Sequence, residues 1–527
     1  MTNDIAGIPL ADVILVIGSD TTAAHPVIGS RIKQAVRHGK TKLIVIDPKE
    51  IELAKYAAIY ARQRCGTDVA VLNGIMHEII KQNWHDQAYL AERCEGFEEL
   101  QAVVAEYPPE KAAQISGVPA EQICAIAELF GTAETAAVFY AMGITQHTTG
   151  VDNVQSVSNL QLLCGNLGKD GGGVNPLRGQ VNVQGACDMG GLPNVFSGYQ
   201  RVNDEKVKAK FEAAWQRPLS AQAGLTVLEM LDGAAHGTVK ALYVMGENPM
   251  LSDPDVTHVA HALKQLELLV VQDLFLTETA QLAHVVFPAA AYAEKDGTVT
   301  NTERRVQRLR KALDAPGQAK ADWEILQDLA NALGSDWRYS SAQDIAEEAR
   351  QLTPSYGGIT WERLEPHGLQ WPCPTLTHPG TPYLHKGTFA RGKALLKGIH
   401  FEEPAELPDA DYPLILTTGR VLQQFHTGTM TRKTAGLNKL AGPMVMIAVE
   451  DAEALGITNG ETIQVSSRRG TIAAPAFVTK RIGRGTVYIP FHYQEAAANL
   501  LTNPAVDPIA KIPEYKACAV RISKRLV

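Results

Sequence analysis

The stretch VILVIGSD, residues 13–20, decides the fold of the N-terminal region. Its apolar residues, Val13–Ile17, follow one another without a polar interruption and stop abruptly at Gly18. A short, continuous apolar run is typical of a strand buried on both faces of a parallel sheet, whereas a half-exposed strand alternates apolar and polar residues. The stretch therefore predicts an internal parallel strand that ends in a turn.

The same pattern, an apolar run followed by a turn residue, repeats through residues 1–300. Further strands are predicted at Leu43–Ile46, Ala137–Tyr140, Leu242–Met245 and Leu268–Val271. Amphipathic stretches such as Val69–Lys81 and Ala120–Phe130 lie between them and predict helices. Strands that alternate with helices form βαβ units and doubly wound α/β sheets, which bind ligands just beyond the carboxyl ends of their strands.

The composition changes twice after the α/β region. Residues 341–408 are rich in proline and include Trp361 and Trp371, which favours an ordered connecting arm over a flexible linker. From residue 409 onward, short strands are predicted at 414–416, 444–449, 462–466, 473–478 and 487–489, with one helix at Asp451–Leu455. We therefore predict a C-terminal β-barrel and four domains, namely 1–180, 181–340, 341–408 and 409–527.

Composition excludes several functional classes. The chain has 527 residues and a net charge of −8, so it lacks the basic field that drives binding to a phosphate backbone, and we expect no nucleic acid partner. We expect no leader peptide, and the sequence contains no apolar stretch of the roughly 18 residues that a membrane span requires. We therefore expect a cytoplasmic protein with no membrane span. The seven cysteines are scattered without a C-x-x-C pair, so we expect no metal ligand set.

The densest functional signal is GNLGKDGGGVNPLRGQVNVQGACDMG, residues 165–190. Glycine allows the backbone to approach a partner closely or to adopt positive φ. The stretch also carries planar hydrogen-bonding side chains: Asn175, Arg178, Gln180, Asn182 and Gln184. If the segment is extended, positions 178–184 place four of these groups on one face. An arginine among them suits a small carboxylate, because its guanidinium pairs bidentately and stays charged. A long surface loop is the alternative interpretation.

These residues resemble the catalytic (alpha) subunits of molybdenum- or tungsten-dependent formate dehydrogenases in the dimethyl sulfoxide reductase superfamily. The motif LRGQVNVQGACDMG (177–190) is specific to that branch, and MGENP (245–249) and DGTVTNTERR (296–305) match the superfamily. Other matching segments extend along the chain: GSDTTAAHP (18–26), IDPKEIELA (46–54), MGITQHTTG (142–150), TTGRVLQQFHTGTMTR (417–432) and PEYKACAV (513–520). The resemblance implies two Rossmann-like sheet domains, the second incomplete, and a double-psi-type barrel that binds the dinucleotide.

The resemblance also implies a cofactor and an activity. The cofactor is bis-molybdopterin guanine dinucleotide with molybdenum or tungsten. The activity is the two-electron oxidation of formate to CO₂, or the reverse. Electrons would leave through a 4Fe–4S cluster to an electron-transfer subunit or an iron–sulfur protein.

Site residues follow from the same resemblance. One guanosine end would be held by Gly18, Ser19, Asp20, Asp47, Pro48, Lys49 and Asp68, with Met142, Gly143 and Gln146 flanking the same cofactor. The other nucleotide would be held by Gly246, Glu247, Asn248, Gln272, Asp273 and Asp322. Barrel residues would close over both pterins: Arg420, Gln424, His426, Thr427, Gly428, Asn499 and Lys516. Arg178 would orient formate, with Gln180 beside it. Alternatively, Asp47 and Asp273 are turn formers and His426 is a barrel histidine.

The resemblance implies a further region at the N-terminal side. Family members carry there a four-cysteine iron–sulfur domain and a selenocysteine or cysteine that ligates the metal. We expect this chain to be the C-terminal part of a selenocysteine-containing subunit, because the selenocysteine codon is otherwise read as a stop. The cluster would then belong to the missing region. Two alternatives are a non-catalytic scaffold or carrier that binds the dinucleotide, and one half of a split enzyme.

Two surface features are also predicted. If the second sheet lacks its first βα units, residues 241–290 expose a strand edge and an apolar face. The charged run Glu303–Arg308 is interpreted as one face of an exposed strand, with a basic patch as the alternative.

Overall fold

The structure is a computed structural model and describes residues 1–524. These residues form two compact units. The first contains residues 1–179, 251–256 and 383 onward, and the second contains residues 180–250 and 257–382. The finer division into four domains stays a prediction. Within residues 1–524, no helix is both long enough and apolar enough to cross a membrane.

The elements are numbered in chain order. The helices are α1 (Thr21–Ala24), α2 (Pro26–His38), α3 (Asp68–Lys81), α4 (Gln87–Arg93), α5 (Phe97–Val104), α6 (Pro109–Ser116), α7 (Ala120–Gly131), α8 (Met142–Thr145), α9 (Gly150–Leu163), α10 (Val183–Asp188), α11 (Glu205–Trp215), α12 (Val227–Ala235), α13 (Pro249–Ser252), α14 (Val256–Gln265), α15 (Asp322–Ala332), α16 (Ala342–Leu352), α17 (Ala435–Leu440) and α18 (Val449–Leu455). The strands are β1 (Val13–Ile17), β2 (Lys42–Ile46), β3 (Ile59–Ala61), β4 (Cys94–Glu95), β5 (Ala136–Tyr140), β6 (Val174–Pro176), β7 (Val195–Phe196), β8 (Gln200–Arg201), β9 (Ala241–Met245), β10 (Leu268–Asp273), β11 (Val285–Pro288), β12 (Gly297–Thr300), β13 (Arg305–Leu309), β14 (Leu369–Gln370), β15 (Ala394–Leu395), β16 (Leu414–Gly419), β17 (Val445–Ala448), β18 (Thr462–Ser466), β19 (Thr471–Thr479), β20 (Thr486–Pro490) and β21 (Cys518–Lys524).

The first unit contains a five-stranded parallel sheet in the order β3-β2-β1-β5-β6. Every residue of β1 is buried, as its unbroken apolar sequence predicts. Leu15 and Ile17 pack into one apolar cluster together with α3, α7 and α9. Ile14 and Val16 pack into a second cluster together with α2. Because the two clusters cover opposite faces of the strand, the predicted doubly wound sheet is confirmed.

The C-terminal part of the first unit is a closed barrel with the strand order β16-β20-β17-β19-β18-β21. Its interior is filled by a separate apolar cluster that includes Leu416, Ile447, Ile463 and Val487. Inward-facing residues alternate with outward-facing ones along β18 and β19, which gives the period-two burial of barrel strands. The predicted C-terminal β-barrel is confirmed, including the short helix α18 that ends before Gly456.

The second unit contains a three-stranded parallel sheet in the order β11-β10-β9. Leu269 and Val271 of β10 pack into an apolar cluster together with α12 and α14. Met245, Leu268, Val285 and Val286 are exposed. Exposed apolar side chains are therefore present between 241 and 290, while the absence of the first βα units of this sheet stays a prediction.

The second unit also contains the charged run Glu303–Arg308 and part of the proline-rich region, for which the sequence made predictions. The expectation that Glu303–Arg308 forms an exposed strand face is wrong for Arg304, which is only 2% exposed and precedes β13. Its guanidinium donates to the carbonyls of Trp371, Thr381 and Pro382. The proline-rich region is ordered as expected, with helix α16 and with the Trp371 indole N–H donating to Asp188 at 2.7 Å.

Candidate cofactor and substrate site

The carboxyl end of the first sheet is built around two glycines, Gly18 after β1 and Gly143 in α8. The Gly143 N–H donates to the Gly18 carbonyl at 3.0 Å, and Gly18 has a positive φ of 56°. A Cβ added at Gly143 would lie 2.5 Å from that carbonyl oxygen and 2.6 Å from the Gly18 Cα. Two backbones therefore touch directly at the edge where parallel sheets bind their ligands.

The contact between these glycines predicts the effect of a small substitution. Gly143→Ala places a methyl group against backbone that cannot rotate away, so we expect purified protein to retain less than about a tenth of its bound guanine nucleotide. Gly436→Ala is the matched control, because a Cβ there meets nothing within 4 Å. Nucleotide content after acid release measures both variants. Equal nucleotide contents would contradict a cofactor site at this edge.

A buried charged cluster lies beside these glycines. Lys49 Nζ contacts Asp20 Oδ2 at 2.8 Å and lies 4.0 Å from the centre of the Tyr488 ring on β20. Asp47 accepts a hydrogen bond from the Lys49 N–H at 2.9 Å. Burial raises the pKa of Asp47 to about 7, although the Lys49 charge and this hydrogen bond partly offset it. The cluster thus offers buried carboxylate oxygens and an ammonium group next to the strand ends.

Two further predicted site residues extend the cluster. Asp68 begins α3, is 2% exposed and accepts a hydrogen bond from Gln63 Nε2 at 3.1 Å. Burial raises its pKa above the usual range. Lys516 donates from Nζ to the Thr418 carbonyl at 2.7 Å. Burial, aided by the charges of Arg420 and Lys49, lowers the pKa of Lys516 to about 7.

The raised pKa of Asp47 predicts a pH dependence of stability in cofactor-free protein. Between an ordinary pKa of 3.8 and a folded-state pKa of about 7, the folded protein binds more protons than the unfolded chain, so stability falls as the pH rises through this window. Asp47→Asn removes the cost of burying the charge, so we expect it to stabilise the protein by about 2–4 kcal/mol at pH 8 and negligibly at pH 4. Melting temperatures at both pH values test this. A constant difference between the variants would contradict it.

The barrel supplies the third group of predicted cofactor residues. The Gln424 side chain accepts from Thr431 Oγ1 at 2.7 Å, and Thr427 and Thr429 share a hydroxyl contact of 2.8 Å. His426 has a φ of 47°, and its carbonyl accepts from His492 Nδ1. Asn499 donates to the Leu251 and Ser252 carbonyls, while its Oδ1 is buried without a hydrogen-bond partner. That oxygen is an acceptor available to a ligand.

The segment around Arg178 differs from the extended conformation considered above. Asn182 adopts a left-handed conformation with a φ of 64°, and helix α10 begins at Val183. Gln184 lies within that helix and donates to Asp188 at 2.8 Å. The four side chains at 178–184 therefore do not alternate along one extended face, because the backbone turns before Gln184. Arg178 belongs to the first unit and Gln180 to the second.

The residues predicted for the second nucleotide all lie in the second unit. Asn248 accepts from Thr279 Oγ1 at 2.7 Å and donates to Glu278 at 2.7 Å. Gln272 donates to Asp322 at 2.7 Å, and Asp322 also pairs with Lys295. Gly246 donates its N–H to the Gln272 carbonyl at 2.8 Å. Burial raises the pKa of Asp273. The ends of β9 and β10 thus bring together Gly246, Glu247, Asn248, Gln272, Asp273 and Asp322.

The side chains present fit a guanine dinucleotide. The carboxyl oxygens of Asp47 and Asp68 accept N–H and O–H donors, Lys49 carries a positive charge suited to phosphates, and the Lys516 Nζ donates hydrogen bonds. The buried, unpartnered oxygens Asn499 Oδ1 and Gln63 Oε1 are further acceptors. Within residues 1–524, no group of three or more His, Cys, Asp or Glu side chains is arranged to hold a metal ion, and no two of the seven cysteines form a disulfide.

The sequence analysis missed three residues that the structure places at this site. Tyr488 stacks against Lys49, and its hydroxyl donates to the Arg420 carbonyl at 2.6 Å. His492 is fully buried and accepts from the Val421 N–H at 3.0 Å. His25 contacts the Arg178 carbonyl at 2.7 Å. Only His25 carried a local signal, because it belongs to the segment GSDTTAAHP that follows β1.

Comparisons with known proteins agree with this architecture. Residues 1–332 match the family model described as Molybdopterin oxidoreductase, and residues 414–519 match the Molydopterin dinucleotide binding domain. The chain belongs to the molybdopterin oxidoreductase family. Acetylene hydratase from Pelobacter acetylenicus has the same fold, with a TM-score of 0.75 at 21% identity over 99% of this chain and 81% of that one.

Within this family the chain is similar to formate dehydrogenase alpha subunits. It is 49% identical to the F420-dependent formate dehydrogenase 1 subunit alpha of Methanococcus maripaludis, over 99% of this chain and 78% of that protein. It is 50% identical, with the same coverage, to the corresponding subunit of Methanocaldococcus jannaschii. It is 38% identical to formate dehydrogenase H of Escherichia coli, over 99% of this chain and 74% of that protein.

Proposed function

We propose that this chain is the catalytic subunit of a formate dehydrogenase that interconverts formate and CO₂ with a bis-molybdopterin guanine dinucleotide cofactor. The observation that carries the proposal is the identity of 49–50% to formate dehydrogenase alpha subunits over 99% of the chain. The fold and the polar strand ends described above are compatible with that cofactor. When bound, the cofactor supplies the two-electron redox chemistry and the sulfur ligands of the metal.

The chain's own residues would hold the cofactor at three places. Gly18, Asp20, Asp47, Lys49 and Asp68 would hold one guanosine end, with Gly143 against Gly18. The strand ends of the second unit would hold the other, through Asn248, Gln272 and Asp322. Arg420, Asn499 and Lys516 of the barrel unit would bind the pterins. Support for the roles of Asp47, Asp68 and Lys516 is their burial, which raises the pKa of both carboxyl groups and lowers the pKa of the ammonium group.

Arg178 would bind and orient the substrate. Formate is an anion and CO₂ is neutral, so a cationic fork that pairs with the carboxylate binds the substrate and releases the product. Gln180 would supply a second hydrogen bond. The backbone at Arg178 is anchored, which supports this assignment. The carbonyls of Arg178 and Gly179 both accept hydrogen bonds from residues of the first unit.

We also propose the remaining components of the working enzyme. These are molybdenum or tungsten, a 4Fe–4S cluster, an electron-transfer partner subunit and a cytoplasmic location. Support for a partner is that the similar proteins are designated alpha subunits. Metal analysis and subunit composition of the native enzyme test these points.

Anaerobic purification of the native protein tests the proposed function. We expect two guanine nucleotides per chain and formate-dependent reduction of a viologen dye. Bound pterin without any reaction would instead support the non-catalytic scaffold or carrier. Activity that appears only when a second, cysteine-rich polypeptide is added would support a split enzyme.

A further inference from the structure

His25 contacts the backbone of the proposed substrate-binding arginine. It lies between α1 and α2, and α1 itself follows the strand-end turn that contains Gly18 and Asp20. Its ring nitrogen Nε2 is 2.7 Å from the Arg178 carbonyl oxygen. Its other ring nitrogen, Nδ1, is buried and has no hydrogen-bond partner. The histidine and Arg178 are 153 positions apart in sequence, so the contact is made by the tertiary fold.

The protonation state of His25 follows from its surroundings. Burial, aided by the positive charge of Arg420 and partly offset by the hydrogen bond to the Arg178 carbonyl, lowers the pKa of the imidazole to about 4. The ring is therefore neutral at neutral pH, with one protonated nitrogen. A carbonyl oxygen can only accept a hydrogen bond, so Nε2 carries the proton and donates the hydrogen bond to the Arg178 carbonyl. Because a neutral imidazole has one protonated nitrogen, Nδ1 is unprotonated.

A second contact fixes the next peptide group. Arg420 Nη1 donates to the Gly179 carbonyl at 2.5 Å. A Cβ added at Gly179 would lie 2.7 Å from Arg420 Nη2, so a side chain at this position would displace the guanidinium from its present place. Two successive carbonyls, those of Arg178 and Gly179, are thus held by donors from the sheet part and from the barrel part of the same unit.

We propose that His25 is a positioning residue for formate binding, and that its neutral Nε2–H fixes the backbone of Arg178 so that the guanidinium meets the carboxylate of the substrate in one orientation. This inference rests on the proposed function and goes beyond it, because it assigns a role to a residue that does not touch the substrate. A misplacement of about 1 Å in a substrate-orienting group costs on the order of 100-fold in rate, so anchoring of the backbone has a measurable effect.

Two isosteric substitutions in the complete native enzyme test the proposal. His25→Gln places an amide N–H near the position of Nε2, whereas His25→Asn places it near Nδ1 and cannot reach the Arg178 carbonyl. We expect His25→Gln to keep kcat/KM for formate within about 3-fold of the unchanged enzyme, and His25→Asn to lower it by roughly 10- to 100-fold, mainly through KM. Guanine nucleotide content is expected to stay equal in both variants.

The outcomes separate this inference from the proposed function. Equal formate kinetics in the two variants would overturn the inference. Loss of activity in both, or failure of only the His25→Asn protein to fold and bind nucleotide, would also overturn it, since the histidine would then act in chemistry or in folding. If Arg178→Ala leaves the KM for formate unchanged, the substrate assignment itself fails. If Arg178→Ala raises the KM while His25→Asn does not, only the positioning role fails.

Discussion

Replacing Arg178 by alanine in the complete enzyme is expected to raise the KM for formate by on the order of 100-fold or more, because truncating one member of a hydrogen-bonded charge pair costs about 2–5 kcal/mol. The loss is expected mainly in KM, since the arginine contacts the anion before the reaction as well as during it. Steady-state kinetics with formate and a viologen dye measure both constants.

Arg178→Lys is the matched control for this prediction. Lysine keeps the positive charge but cannot form two parallel hydrogen bonds to a carboxylate. We therefore expect a KM between those of the alanine variant and the unchanged enzyme. Guanine nucleotide content is expected to be the same in all three proteins. A KM for formate that stays unchanged in Arg178→Ala would remove the arginine from substrate binding.

Replacing Lys49 by methionine is expected to give the largest loss of stability. The ammonium group is buried, pairs with Asp20 at 2.8 Å and lies over the Tyr488 ring. Methionine fills a similar volume but leaves Asp20 without its cation, and breaking such a pair by removing one partner costs about 3–5 kcal/mol. We expect a lower melting temperature of the cofactor-free protein and weaker retention of guanine nucleotide.

Lys55→Met is the corresponding control. Lys55 also pairs with a carboxylate, Glu52, at 2.8 Å, but its side chain is 65% exposed. Exposed ion pairs contribute roughly 0–1 kcal/mol, so its melting temperature is expected to change little. If the two methionine variants lower the melting temperature equally, the buried cluster at Lys49 has no special role in stability.

Strands were predictable where the local sequence carries one of two patterns, a continuous apolar run with an abrupt end or an alternation of apolar and polar residues. Val13–Ile17 matches β1 residue for residue, and Thr462–Ser466 matches β18. In both cases the local pattern and the tertiary environment agree. A strand that is buried on both faces lacks polar residues, whereas a barrel strand alternates inward-facing apolar residues with outward-facing polar ones. Local sequence was sufficient there, since no distant residue decides the conformation.

The segment after Arg178 was less predictable because distant residues decide its conformation. Asn182 adopts positive φ, and its Oδ1 accepts from the Thr300 N–H at 2.8 Å. At the other end of α10, the Asp188 carboxylate accepts from the Tyr356 hydroxyl at 2.7 Å and from the Trp371 indole at 2.7 Å. These partners lie more than 100 positions away in the sequence, so alternation of residue types could not reveal the turn and the helix.

In the candidate site, too, some residues were predictable from the sequence, whereas the contacts between distant residues were not. The rule that parallel sheets bind ligands at their carboxyl ends pointed to Gly18 and Asp47, and the structure places both residues at that edge. The contacts of Lys49 with Tyr488, and of His25 with Arg178, join segments far apart in the chain. Only the folded structure could show these contacts, because the local sequence around each residue does not reveal its distant partner.

The most direct test of the central claim is the fate of carbon-13-labelled formate incubated with the native, cofactor-loaded enzyme and a viologen dye. We predict labelled CO₂ in a ratio of one molecule to two electrons transferred to the dye, and loss of this reaction at low formate concentration in Arg178→Ala. If enzyme that contains its guanine nucleotides and metal forms no labelled CO₂, the assignment as a formate dehydrogenase is contradicted.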